Sequence, residues 1–254
     1  MTRRLIGKNA LVTGATSNIG RSIAERLGAE GAHVIVSGRD RERGDVVVTA
    51  IRRNGGRADF VAADLDGSAE ASHRLADAAL SLLGSRIDVL VNNAGIYPLH
   101  STPSADELLF DAIFGVNLKA PFLLTQAIIP HMIESGGGAV INLGSWITNL
   151  AVPSSPLYAS SKGAMETLTR AWSAEFGAKG VRVNAVSPGV IRAREDGSPA
   201  HRSAGMMTGT PAGGPGQPDA VAAAVAFLAS DEAEFIHGTV LDVDGGRANV
   251  HSVA

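Results

Sequence analysis

Seven short runs of apolar, mostly β-branched residues recur along the chain, several of them ending directly in glycine. They are Asn9–Thr13, His33–Ser37, Ala58–Ala62, Ile87–Val91, Ala139–Leu143, Val181–Val186 and Thr239–Val243. Near-continuous apolar runs of this length suit strands buried on both faces of a parallel sheet. Between them the period changes. Ile19, Ile23 and Leu27 recur at four-residue spacing, as one buried helix face does. Residues 105–134 and 156–179 read as long helices, the second starting near Pro156, and 218–230 reads as an alanine-rich helix. Alternating strands and helices predict an α/β fold, a doubly wound parallel sheet of seven strands with helices on both faces.

No repeat or linker interrupts the pattern, so residues 1–254 are expected to form one domain. The exception to periodicity is the stretch 192–218, rich in glycine and proline. Loops of that length are functional lids or disordered segments. Its place after a strand favours a lid, because ligands of such sheets bind beyond the strands' C-terminal ends.

Composition removes several classes. The 254 residues include 45% hydrophobic residues, ample for one large core, and no cysteine. Disulfides, thiolate zinc sites and thiol nucleophiles are therefore excluded. The seven histidines show no metal-binding spacing, so no metal is expected. Interspersed charges with a net −3 argue against a nucleic-acid partner. The uncharged run Ser135–Ser161 holds three consecutive glycines and two prolines, which argues against a membrane span. Charge and glycine come too early at the N-terminus for a signal peptide. A soluble, cytoplasmic protein is expected.

The candidate chemistry lies at strand ends. Thr13-Gly14-Ala15-Thr16-Ser17-Asn18-Ile19-Gly20 joins the first strand to the first helix, a context in which backbone N–H groups and the helix dipole suit a pyrophosphate. Asn18 stands where a third glycine is usual, and asparagine tolerates a left-handed backbone. After the second strand, Gly38 removes the carboxylate that would bind an adenosine ribose, and Arg39 offers a planar cation to a 2′-phosphate. That favours NADP(H) over NAD(H), the alternative being a solvated, mixed-charge helix start at 39–43. Tyr158 and Lys162 are spaced i, i+4 on one helix face, where an ammonium would lower the phenol pKa. An ordinary surface pair would have the same spacing. Ser145 follows the fifth strand and is placed either to bind a developing oxyanion or simply to make a turn.

Together with Asn92-Asn93-Ala94-Gly95, Asn117, Pro188-Gly189 and the tail Asp242-Val243-Asp244-Gly245-Gly246, these motifs resemble the short-chain dehydrogenase/reductase family over essentially the whole chain. The similarity extends to 3-oxoacyl-carrier-protein reductases and other carbonyl reductases. The resemblance implies a Rossmann-type domain that interconverts ketones and secondary alcohols. It implies a tetrad: Tyr158 as acid/base, Ser145 on the carbonyl oxygen, Lys162 on the nicotinamide ribose, and Asn117 holding a relay water. Cofactor contacts are implied for Gly14, Ser17, Asn18, Ile19, Gly20, Arg39, Asp64, Leu65, Asn92, Ala94, Gly95, Tyr158, Lys162, Pro188, Gly189 and Ile191.

Tyr97, Leu99, Trp146, Leu150, Met206 and Met207 are placed by the same resemblance around an apolar substrate cavity. His100 is expected on an exposed loop, with a place in the pocket as the alternative, and Trp172 in the core or an interface. Three residues depart from the family pattern: Asn18, Ala193 in place of a threonine, and Gly214 in place of an arginine. Sparse charge on the two long helices, with the family's habit, implies a homotetramer. The partner is then a small carbonyl or alcohol. A silent nucleotide-sensing regulator of the same fold is the alternative function.

Overall fold

The computed structural model describes residues 3–150, 152–192 and 205–250. Seven parallel strands form one sheet in the order β3-β2-β1-β4-β5-β6-β7. The strands are β1 (Asn9–Val12), β2 (His33–Gly38), β3 (Arg57–Ala62), β4 (Val89–Asn92), β5 (Gly138–Leu143), β6 (Val181–Pro188) and β7 (Val240–Val243). The helices are α1 (Asn18–Ala29), α2 (Arg41–Arg53), α3 (Ala69–Leu82), α4 (Glu107–Phe114), α5 (Ala120–Glu134), α6 (Pro156–Phe176) and α7 (Pro218–Ala229). All seven expected strands are present, with bounds moved by at most two residues.

Burial explains the apolar runs. Leu11, Val12, Ile35, Val36, Leu90, Val91, Val140 and Ile141 are fully buried, because alternate residues face opposite helical layers. One core lies between the sheet and α1, α2 and α7. The other lies against α3, α5 and α6 and includes Trp172, which is core.

The expected helix 105–134 is divided. A π-helical turn at Gly115–Lys119 separates α4 from α5. Two close approaches accompany it: a Cβ on Gly115 would lie 2.8 Å from the Asp66 carbonyl oxygen, and one on Gly67 would lie 2.6 Å from Gly115 Cα. Such turns often occur at functional sites. Among the described residues, Glu107–Glu134 is also the one helical stretch long and apolar enough to cross a membrane, with mean hydropathy 1.5. Half of it is buried against the protein itself.

The chain crosses from one half of the sheet to the other between β1 and β4, the place where open α/β sheets form a crevice. Of the lid expected at 192–218, residues 193–204, with Ala193, lie outside the described residues. Beyond them the chain returns to the sheet: Ile191 bridges Gly216, and the Ala212 N–H donates to the Gly245 carbonyl at 3.2 Å.

Candidate active site

A cleft opens along the C-terminal edge of the sheet in two connected parts. The first, about 340 Å³, is lined by Gly14, Ser17–Gly20, Gly38, Arg39, Asp64, Leu65 and Asn93–Ile96. The second, about 550 Å³, shares Asn18, Ile19, Asn93, Gly95 and Ile96 with it. It adds Ser145, Tyr158, Lys162, Pro188, Gly189 and Ile191. The cofactor residues expected from sequence therefore line the cleft, apart from Asn92.

The first part is a backbone cradle. Gly14 and Asn18 both have positive φ, +61° and +44°. A Cβ on Gly14 would stand 2.8 Å from Ala94 Cα, and one on Gly20 would stand 2.2 Å from the Gly14 carbonyl oxygen. Thr13 and Asn93 lock this turn to the loop after β4. Thr13 Oγ1 accepts from the Asn93 and Ala94 N–H groups at 3.0 Å, while Asn93 Nδ2 donates to the Thr13 and Gly14 carbonyls at 2.8 and 3.0 Å. Asn18 Oδ1 is buried and has no hydrogen-bond partner among the described residues. A tight glycine turn at a helix N-terminus, with an orphaned polar atom beside it, fits a dinucleotide pyrophosphate. Gly20→Ala is expected to lower the melting temperature by about 2–10 °C and to weaken dinucleotide binding at least ~10-fold. Thermal denaturation and titration calorimetry check both.

Asn92 does not line the cleft. Its side chain points below the cleft, where Nδ2 donates to Thr125 Oγ1 at 3.1 Å and Asn142 Oδ1 at 2.9 Å. Asn142 in turn donates to Thr169 Oγ1 at 2.9 Å, giving a buried polar ladder that ties β4 and β5 to α5 and α6. Asn93 and Thr13 do the work at the cleft. Their motifs marked the region, but spacing alone did not separate the neighbouring asparagines, which face opposite sides of the strand end.

At the floor of the second part, Tyr158 is half-buried and Lys162 is 5% exposed. Lys162 Nζ donates to the Leu143 carbonyl at 2.7 Å and lies 5.8 Å from the Tyr158 ring centroid. Burial lowers the lysine pKa to about 8. Burial also raises the Tyr158 pKa, against the opposing influence of the Ser145 hydroxyl. The phenol pKa therefore moves up, not down as expected from the lysine spacing, since desolvation of the phenolate costs more than the Ser145 hydroxyl returns.

Asn117 sits in the π-helical turn behind this floor. Its Oδ1 accepts from the Ile96 N–H at 2.8 Å, and its Nδ2 donates to the Ile96 carbonyl at 3.0 Å and to Ser161 Oγ at 3.1 Å. Both amide hydrogens are used in joining the β4 loop to α6. Tyr97, Leu99, Trp146 and Met206 line the cleft wall. Leu150 and Met207 do not; they pack behind it against Trp146 and Val190.

Comparison with known proteins agrees with this fold. The family profile described as enoyl-(acyl carrier protein) reductase matches residues 14–248. A solved short-chain dehydrogenase/reductase from Serratia marcescens superposes with a TM-score of 0.90 at 30% identity, covering 96% of this chain and 99% of that one. The chain belongs to the short-chain dehydrogenase/reductase family. It is an oxidoreductase of that family with a Rossmann-type sheet. A cyclopentanol dehydrogenase of Comamonas sp. is 37% identical over 246 residues, 96% of this chain and 98% of the relative. A structure from Agrobacterium tumefaciens with bound NADP has a TM-score of 0.87 at 34% identity, over 96% of this chain and 98% of its own.

Proposed function

We propose that this short-chain dehydrogenase/reductase interconverts a ketone and a secondary alcohol with NADP(H), using Tyr158 as general acid/base. The carrying observation is convergence: Ser145, Tyr158 and Lys162 meet on the floor of the same cleft that begins at the Gly14–Gly20 cradle. When bound, the dinucleotide supplies or accepts the hydride.

This chain's residues supply the rest. Ser145 and Tyr158 present two hydroxyls to one carbonyl oxygen, so charge developing there meets preorganised donors. Because burial raises its pKa, Tyr158 holds its proton through the neutral range and is set to give it to an alkoxide. Lys162 places a cation beside the phenol, and Asn117 fixes the loop and helix that frame them. Arg39, exposed at the far end, faces the adenosine side with Asp64 Oδ1 at 3.9 Å. NADP bound to the Agrobacterium protein supports the preference.

The wall residues Tyr97, Leu99, Trp146 and Met206 favour an uncharged, apolar carbonyl compound. A homotetramer is supported by the apolar cavity between α4–α5 and α6, lined by Phe114, Leu118, Phe122 and Leu168, with Leu108 and Phe110 exposed nearby. Light scattering at four times the chain mass is the expected result.

An NADPH-oxidation and NADP⁺-reduction screen over cyclic ketones, aryl ketones, oxoacyl thioesters and their alcohols tests the reaction class. Turnover of carbonyls or secondary alcohols is expected. With enoyl thioesters added as a control arm, activity confined to that arm would contradict the proposal.

The pH dependence follows from the lysine. Its cation is present below about pH 8 and lost above it, while Tyr158 remains protonated. For carbonyl reduction, kcat/KM is therefore expected to fall as pH rises through about 8. A rate still rising above that value would contradict the assignment.

A further inference from the structure

Helix α6 delivers Tyr158 from its third residue, so the way this helix starts decides where the phenol sits. The first helical residue, Pro156, has no N–H, and Leu157 is the first that needs an acceptor. Ser155 occupies the usual capping position but does not cap. Its hydroxyl faces the Ser154 and Pro98 carbonyls instead, the latter at 3.3 Å.

The acceptor comes from 57 residues earlier: the Leu157 N–H donates to His100 Nε2 at 3.3 Å. The other ring nitrogen, Nδ1, lies 3.0 Å from the Pro98 carbonyl oxygen. A carbonyl can only accept and an amide N–H can only donate. The two partners together assign a neutral imidazole with its hydrogen on Nδ1. The His100 backbone N–H also donates to the Ser154 carbonyl at 2.9 Å. His100 is 8% exposed, so it is neither the exposed loop residue expected from sequence nor part of the cleft lining.

The segment Ile96–His100 is thereby fastened at both ends. Asn117 holds Ile96, and His100 holds the start of α6. Between the two fastenings, the Tyr97 ring rests 4.5 Å, centroid to centroid, from the Tyr158 ring.

We propose that His100 is a positioning residue for Tyr158. Its neutral ring caps α6 immediately before the tyrosine and keeps Tyr97 seated against the phenol. A backbone cap borrowed from the β4 loop makes the loop and the acid/base move as one unit. The inference rests on the reading of Tyr158 as the proton-transferring group.

The test compares wild type with His100→Ala and His100→Gln, glutamine offering an amide oxygen where Nε2 sits. Three readouts are taken: hydrogen exchange of the first turn of α6, alkaline titration of tyrosinate absorbance, and steady-state kinetics with NADPH affinity. The chain has only two tyrosines, Tyr97 and Tyr158, so the titration reports on this site alone. In His100→Ala, exchange at Leu157 is expected to accelerate and the higher phenol titration to move toward the ordinary tyrosine value. The alanine variant should lose about 10-fold or more in kcat with NADPH affinity within ~2-fold, since small misplacements of reacting groups are costly. His100→Gln should restore most of all three.

Unchanged exchange and titration in His100→Ala would overturn the proposal. So would equal loss in both variants accompanied by an equal fall in melting temperature, the mark of a merely structural residue. If the alanine variant does not fold, the glutamine variant decides: exchange at Leu157 and phenol titration that stay together, both near wild type or both shifted, support the cap, and faster exchange with an unmoved titration refutes it. Exchange and titration need no substrate. Failure of the carbonyl reading would therefore appear as absent wild-type turnover, separately from failure of the cap.

Discussion

Tyr158→Phe is expected to lower turnover by about a thousandfold, because a positioned general acid/base contributes ~10²–10⁴. The substitution removes one oxygen and keeps the ring. Packing against Tyr97 at 4.5 Å and contact with Lys162 at 5.8 Å are both retained. Burial of the ring is unchanged too, so the fold and the Gly14–Gly20 cradle should be unaffected. NADPH affinity is accordingly expected to stay within about 2-fold, since the phenol hydroxyl acts on the reacting oxygen and not on uniform binding. Single-turnover and binding measurements on the same preparation separate the two quantities. A variant rate within tenfold of wild type would remove Tyr158 from the chemistry.

The second large effect concerns the other end of the cleft. Arg39→Ala is expected to weaken NADPH by about 10–100-fold while changing NADH by less than ~3-fold, as hydrogen bonds to a charged group are worth ~1.5–3 kcal/mol. The Arg39 side chain is 73% exposed and its link to Asp64 is long, at 3.9 Å. That weak surface pairing is easily exchanged for a phosphate, whose fork geometry matches the guanidinium better. Gly38 contributes by omission, since no carboxylate stands there to repel a 2′-phosphate. The reverse substitution is not clean. A Cβ on Gly38 would lie 2.6 Å from Thr16 Cγ2, so Gly38→Asp also disturbs the cradle. Equal losses for both dinucleotides in Arg39→Ala would contradict the phosphate reading.

The strands were legible because parallel strands buried on both faces leave an unbroken apolar signal, as in Val34-Ile35-Val36 and Val89-Leu90-Val91. The glycine cradle was legible for a related reason: backbone approach below 3 Å admits no other residue at Gly14 or Gly20. Asn18 was readable as a left-handed residue, and its φ of +44° agrees.

What sequence missed depends on long-range packing. The π-helical turn at Gly115–Lys119 accompanies the approach of Asp66 and Gly67, some fifty residues away, and the periodicity of 105–134 carries no trace of it. The direction of the Tyr158 pKa depends on how deeply the ring is buried, which an i, i+4 spacing does not report. Asn92 and Asn93 are adjacent in one motif yet serve the interior and the cleft respectively. His100 is the sharpest case. A lone histidine in a loop has no local pattern, and only the fold shows that Leu157 needs it.

The central claim is hydride transfer at a carbonyl held by Ser145 and Tyr158. Its most direct measurement uses NADPH deuterated at C4 of the nicotinamide, in each stereochemical form, with a ketone that the screen finds to turn over. Deuterium is expected on the carbinol carbon from one form only, with the hydroxyl hydrogen coming from solvent. Carbinol hydrogen drawn from solvent with both forms would contradict it.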